Sequence, residues 1–120
     1  MTSILITCSG ISNTGKLTTQ AARVLLQRKP GHYVWMHAKR SAAMIDAAIG
    51  EEDEVIVLDG CTDCCAAKRL SASGHTSDRH IVATDLGIIK NGMAEVRYDE
   101  IERVVREVME DGGIAGCTRT

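Results

Sequence analysis

The sequence predicts an α/β protein: a single-domain three-layer α/β/α sandwich around a four-stranded, mostly parallel sheet. Two observations support this fold class. Short apolar runs that suit buried strands alternate four times with stretches whose apolar residues recur at helical spacing. The 120 residues, 44% of them hydrophobic, are enough for one core without disulfides or a structural metal. Right-handed crossovers leave few topologies for such a chain, and the simplest strand order is 2-1-3-4.

Four apolar runs are the predicted strands. The first, Ile4 to Cys8, is short and apolar on both faces, as is typical of a buried parallel strand. The third, Glu54 to Leu58, contains four consecutive branched apolar residues and has the same character. Tyr33 to Met36 is a weaker second strand, and His80 to Thr84 is the fourth.

Four helices are predicted to follow these strands: Gly15 to Lys29, Ser41 to Ile49, Cys64 to Ser73 and Tyr98 to Asp111. Ser41 is the expected N-cap of the second helix, and Asp99 is the expected N-cap of the fourth. These elements define one domain over residues 1–111. The glycine-rich residues 112–120 that follow are expected to form a flexible tail.

Composition and charge exclude several kinds of partner. Fourteen basic against sixteen acidic residues give a net charge of −2, and there are two Tyr, one Trp and no Phe. Such a chain has neither a general phosphate-binding surface nor an aromatic stacking platform, so no nucleic-acid partner is expected. No apolar run approaches the ~20 residues of a membrane span. The first apolar run follows no basic stretch and is interpreted as a strand, which makes the cytoplasm the expected location.

The five cysteines are the most informative feature of the composition, because cytoplasmic cysteine clusters are typically metal-binding or catalytic. Cys8 ends the first predicted strand, whereas Cys61, Cys64 and Cys65 follow the third. In the order 2-1-3-4 these strands are neighbours, and their carboxyl ends meet at the switch point where ligands bind. We therefore expect four thiols to converge on one crevice, with Cys117 in the tail as a bystander.

Two chemistries fit this cluster. The C-x2-C spacing of Cys61 and Cys64 lets two thiolates reach one ion, and Zn²⁺ accepts four sulfur or nitrogen ligands. Thiolates also suit an iron–sulfur cluster. His37, at the end of the second strand, is the histidine best placed to join; the others, His80 included, are expected at the surface. Alternatively, Cys61 with Cys64 or Cys65 near a helix N-terminus would form a redox pair.

The segment from Gly10 to Lys16 nearly matches the phosphate-binding loop G-x-x-x-x-G-K-[ST]. Leu17 stands where that loop needs a Mg²⁺-binding hydroxyl, which argues against a working NTPase. The turn formed by Gly10 and Gly15, with Lys16 at a helix N-terminus, is then either a weak anion site or a plain strand–helix connection. Asp85, at the end of the fourth strand, could line the same crevice or cap a turn.

Three short motifs occur in order over about residues 4 to 92. They are Cys8-Ser9-Gly10, then Asp59-Gly60-Cys61 with Cys65, Ala66, Lys68 and Leu70 behind it, then Thr84-Asp85-Leu86-Gly87-Ile88 with Lys90. Together they resemble the DGC-domain family, small proteins to which zinc binding is ascribed from their cysteines and whose biochemical role is not established. The resemblance implies that Cys8, Cys61 and Cys65 are metal ligands, with Cys64 or His37 as the fourth.

The leading hypothesis is therefore a protein that binds a transition metal ion, zinc before an iron–sulfur cluster, through this ligand set. A thiol redox enzyme centred on Cys61 is the alternative. A weak phosphate- or nucleotide-binding module at Gly15 and Lys16 is the third possibility, so a small anionic ligand is a further expected partner beside the metal ion.

Overall fold

A computed structural model describes residues 2–50 and 53–110 of the chain. Four strands form one sheet in the order β2-β1-β3-β4, and each neighbouring pair is parallel. The predicted fold class and strand order are confirmed. The strands are β1 (Ser3–Thr7), β2 (Tyr33–His37), β3 (Glu54–Asp59) and β4 (Arg79–Val82), and the helices are α1 (Asn13–Arg28), α2 (Ala42–Ala48), α3 (Cys65–Ala72) and α4 (Tyr98–Met109). The predicted domain end at 111, the tail 112–120 and Cys117 lie outside the described residues.

The sheet separates two apolar layers. Because successive side chains of a strand point to opposite faces, neighbouring residues of β1 belong to different layers. Leu5 packs in one layer with α1 and α4, whereas Ile4 packs in the other with α2 and α3. The helix after β1 and the helix after β3 therefore lie on opposite faces of the sheet. This arrangement places the switch point between β1 and β3. No helix in the described part of the chain has the length and apolar character needed to cross a bilayer.

The chain leaves β4 sooner than predicted. The strand ends at Val82, and residues Ala83–Leu86 form a 3-10 helix that Gly87 closes in the left-handed conformation, at φ +84°. The predicted end of the fourth strand, Thr84, was therefore two residues too late. Asp85 consequently lies on an exposed helical turn and not at a strand end.

One predicted helix cap is confirmed and one is wrong. The Ser41 hydroxyl accepts a hydrogen bond from the Met44 N–H at 3.2 Å and caps α2. Helix α4 is capped two residues earlier than predicted, with Arg97 as the N-cap residue. The Arg97 N–H donates to Glu100 Oε1 at 3.1 Å. Asp99 instead lies in the first turn, where its negative charge complements the helix dipole.

Two glycines allow backbone segments to pack directly against one another at the carboxyl end of the sheet. A Cβ atom on Gly60 would lie 2.7 Å from the backbone carbonyl carbon of Thr14. A Cβ atom on Gly15 would lie 2.6 Å from backbone atoms of Gly10. Because backbone cannot move aside as a flexible side chain can, both positions require glycine. The first turn of α1 is thereby held against the residue that follows β3 and against Gly10 of the preceding loop.

Gly15→Ala is expected to destabilise the protein by about 1–3 kcal/mol, because the new methyl group meets backbone. Helix propensity alone predicts the opposite sign, since alanine favours a helix over glycine by about 1 kcal/mol. Urea denaturation followed by far-UV circular dichroism measures the difference. Gly10→Ala is the matched control, because its Cβ would lie 3.8 Å from the nearest neighbouring atom and should be tolerated. A Gly15→Ala variant as stable as the wild type would contradict this account of the loop.

Candidate functional site

A cavity of about 440 Å³ lies where the chain leaves β1 and β3. The free thiols of Cys8, Cys61 and Cys65 line it. Cys8 follows β1, Cys61 follows β3, and Cys65 is the first residue of α3. Gly10 of the β1–α1 connection and Gly15 in the first turn of α1 also contribute to the wall. Three of the predicted ligands and two of the predicted loop glycines are thus brought to one cavity.

Asp59, the last residue of β3, anchors the segment that carries two of these thiols. Its carboxylate is buried, 1% exposed, and accepts hydrogen bonds from the N–H groups of Ala66 at 2.8 Å and Ala67 at 3.2 Å. Both N–H groups belong to the first turn of α3, where no backbone acceptor is available. The same carboxylate lies 2.7 Å from the Nε2 atom of His80 on β4. A single side chain therefore joins β3, α3 and β4.

The turn between Asp59 and α3 places the neighbouring cysteines Cys64 and Cys65 in different surroundings. Cys64 precedes the helix in the left-handed conformation, at φ +52°, and is 1% exposed. It does not line the cavity, whereas its neighbour Cys65 does. The N–H of Gly60 donates to the Cys8 sulfur at 3.3 Å, which links the two walls of the cavity.

The cavity thiols have different electrostatic surroundings. The Lys90 ammonium donates to the Cys61 sulfur at 3.5 Å, and this contact raises the pKa of Lys90. Asp63 is a second polar neighbour of Cys61: its Oδ2 accepts a hydrogen bond from the Cys61 sulfur at 3.6 Å. Desolvation by the surrounding protein raises the pKa of the Cys65 thiol even though the residue as a whole is exposed, and the negative charge of Asp59 adds to the increase. The Cys61 sulfur therefore contacts a cation directly, whereas burial and nearby negative charge hold the Cys65 thiol in its protonated form to higher pH.

The remaining predicted site residues lie elsewhere. His37 and Lys16 line a neighbouring cavity of about 530 Å³, which shares Gly10 with the cysteine cavity. Asp85 lines neither of these two cavities. Cys64 is instead close to Asp59 and His80, with one ligand atom from each lying within 4.8 Å of the others. This buried group of Asp, Cys and His is compatible with metal binding.

Two features of the donor groups matter for a metal. The ligand atoms of the buried group all lie within 4.8 Å of one another, whereas at least one sulfur–sulfur separation among Cys8, Cys61 and Cys65 is longer. In the buried group, the carboxylate of Asp59 already accepts from two backbone N–H groups and contacts His80. Cys64 has an interaction partner of its own and is not among the free thiols.

Sequence analysis missed several residues that surround the thiols. His80 was expected at the surface, but it is 2% exposed. Its position in an apolar run was a signal for burial. Asp63 lies inside the cysteine segment and could have been recognised as a donor from its position. Lys39 and Arg69 also line the cavity, and nothing in the local sequence marks them.

The Cys65 thiol is expected to react more slowly than an ordinary cysteine at neutral pH. Its raised pKa keeps the proton on sulfur to higher pH, and only the thiolate is alkylated. Iodoacetamide labelling of metal-free protein over a pH series, read residue by residue by mass spectrometry, should give a Cys65 midpoint above that of an unstructured cysteine peptide labelled in parallel. Asp63→Asn removes one of the negative charges that raise this pKa, so its midpoint should fall. Asp85→Asn is the control and should leave it unchanged. A wild-type midpoint at or below that of the unstructured peptide would contradict the assignment.

Comparison with known proteins identifies one family. The DGC-domain model matches residues 4–108 of the chain. A search of curated proteins and a search of solved structures find no match. The matched range includes both strand ends that carry the cavity thiols and all four helices except the last residue of α4. The chain therefore belongs to the DGC domain family.

Proposed function

We propose that the protein binds a zinc ion at the cysteine cavity through the thiolates of Cys8, Cys61 and Cys65. The observation that carries the proposal is the presence of three free thiols, from two strand–helix connections, on the wall of one cavity. Thiolates are soft ligands that zinc accepts readily. Membership of the DGC domain family is compatible with the same function.

The donors fit zinc after a local adjustment. Tetrahedral coordination with Zn–S distances of ~2.3 Å brings the ligand sulfurs to within about 4 Å of one another. At least one present separation exceeds 4.8 Å, so side chains must rotate on binding. Cys61 lies in a turn and Cys65 is exposed at the helix start, which leaves both side chains room to do so. Asp63, with Oδ2 at 3.6 Å from the Cys61 sulfur, offers an oxygen donor for the fourth position.

The buried group of Asp59, Cys64 and His80 is the competing location. A metal ion there would take carboxylate oxygens that now cap α3, and it would replace the hydrogen bond between Asp59 and His80. The first-turn N–H groups of the helix would lose their acceptor inside the protein, at a cost of about 1–3 kcal/mol for each buried group. We therefore interpret this group as the support of the cavity site, which holds the cysteine segment in place.

The chain's own residues would balance the charge of the bound metal. Three thiolates around Zn²⁺ carry a net negative charge, and the Lys90 ammonium beside Cys61 offsets part of it. When bound, zinc supplies Lewis-acid chemistry to any group that reaches it. Cys65 must lose its proton to bind, and its raised pKa makes metal affinity increase with pH through the range in which that thiol titrates.

Anaerobically purified wild-type protein is expected to contain about one zinc ion per chain, in line with a single thiolate site. Cys61→Ser and Cys65→Ser should each weaken zinc binding at least about tenfold. Elemental analysis gives the metal content, and competition with a chromophoric chelator gives the affinity. The metal-free protein should remain folded by far-UV circular dichroism, because two apolar layers hold the core.

Three variants separate the possible fourth ligands and locations. Asp63→Asn should weaken binding less than loss of a thiolate, and His37→Ala, in the neighbouring cavity, should leave zinc content unchanged. Wild-type protein with no metal above background would overturn the proposal. So would loss of zinc in His80→Ala together with full retention in Cys61→Ser.

Thiol–disulfide exchange is a second candidate, favoured by the contact between Cys61 and Lys90. In this reaction the Cys61 thiolate attacks one sulfur of a substrate disulfide and releases the other sulfur as a thiolate. Cys65 then attacks the Cys61 sulfur, which leaves an oxidised Cys61–Cys65 pair and a fully reduced substrate. Zinc-free protein on purification that reduces a small-molecule disulfide, and that loses this activity in Cys61→Ser, would favour this reaction over metal binding.

A further inference from the structure

The cysteine cavity is larger than a metal ion requires. Its volume of about 440 Å³ falls within the range of pockets that hold small molecules, ~300–1,000 Å³. Beyond the thiols, three basic side chains line it: Lys39 from the β2–α2 connection, Arg69 from α3, and Lys90. Asp63 is the one acidic side chain among the described residues of its wall.

This positive lining is a local property of the cavity. The chain as a whole has a net charge of −2, so the three cations do not reflect a basic protein. Lys90 is engaged by Cys61 at 3.5 Å and lies 3.9 Å from Asp63. The side chains of Lys39 and Arg69 form no ion pair within residues 2–50 and 53–110. Two of the three cations are therefore available to a ligand from solvent.

The same wall offers further features that suit an anionic ligand. Ser12, the N-cap residue of α1, lines the cavity, so the positive end of a 16-residue helix lies at its edge. The guanidinium group of Arg69 can bind a phosphate through two parallel hydrogen bonds. Ile11 and Ala38 give the wall an apolar part that a free ion would not use.

We propose that the cavity binds a small organic phosphate, with Lys39 and Arg69 holding the phosphate group and the organic part reaching towards the thiols. The inference deepens the proposed function, because it places a ligand beside the proposed zinc site. It differs from the anion site that the sequence suggested at Lys16, since that lysine lines the neighbouring cavity.

Isothermal titration calorimetry on metal-free full-length protein tests the inference, with phenyl phosphate and inorganic phosphate as the two probes. Lys39→Ala and Arg69→Ala should each weaken phenyl phosphate binding at least about fivefold, as expected for loss of a charge-assisted contact. Lys68→Ala is the matched control on α3: it removes an exposed cation next to Arg69 that does not line the cavity. Lys16→Ala is the control on α1, because Lys16 lines the neighbouring cavity. Both controls should bind as the wild type does.

The possible results separate this inference from the zinc proposal. No binding of phenyl phosphate by the wild type, or loss of binding in Lys16→Ala but not in Arg69→Ala, would overturn the ligand site. If inorganic phosphate binds as tightly as phenyl phosphate, the claim that the cavity recognises an organic group is overturned. Zinc content is measured on the same variants and should be unchanged in Lys39→Ala. If the protein binds zinc normally but does not bind phenyl phosphate, only the ligand site is overturned. If it binds phenyl phosphate but takes up no zinc, only the metal proposal is overturned.

Discussion

The carboxylate of Asp59 is the group on which the arrangement of the cavity depends. It is buried at the end of β3, accepts from two N–H groups of α3 and contacts His80 on β4. A charged group in the protein interior is tolerated only when its hydrogen-bonding capacity is used, as it is at this position. Cys61 and Cys65 stand on either side of the turn that this carboxylate fixes. Their position on the cavity wall therefore follows from one buried interaction, and neither cysteine is needed to form it.

The three residues of the Asp-Gly-Cys motif have separate physical roles. Asp59 anchors α3, Gly60 makes room for the backbone of the first turn of α1, and Cys61 places a thiol on the wall. Gly60 also donates its N–H to the Cys8 sulfur, so the close approach that glycine permits connects the two cysteine-bearing segments. A larger residue at this position would separate Cys8 from the other thiols. The motif thus holds the carboxyl ends of β1 and β3 close together.

Much of this arrangement could be predicted from the sequence because it follows from strand topology. Alternating strands and helices led to the order 2-1-3-4, and that order brings Cys8 close to the cysteines after β3. The direction of Cys64 could not be predicted, since a left-handed non-glycine residue leaves no local signal. The position of His37 in a different cavity depends on how side chains at the β2 edge are packed. Lys39 and Arg69 come from segments far apart in sequence, so only the folded chain brings them to the thiols.

The central claim, that a metal is bound by the cavity thiolates and not by the buried group, is tested most directly by zinc X-ray absorption spectroscopy. Anaerobically purified protein should show three sulfur scatterers at ~2.3 Å and one lighter atom at ~2.0 Å. The donors of Asp59, Cys64 and His80 would instead give at most one sulfur, with oxygen and nitrogen making up the rest of the shell. A spectrum with one sulfur would contradict the account, whereas three sulfurs would assign the metal to the thiolates at the ends of β1 and β3.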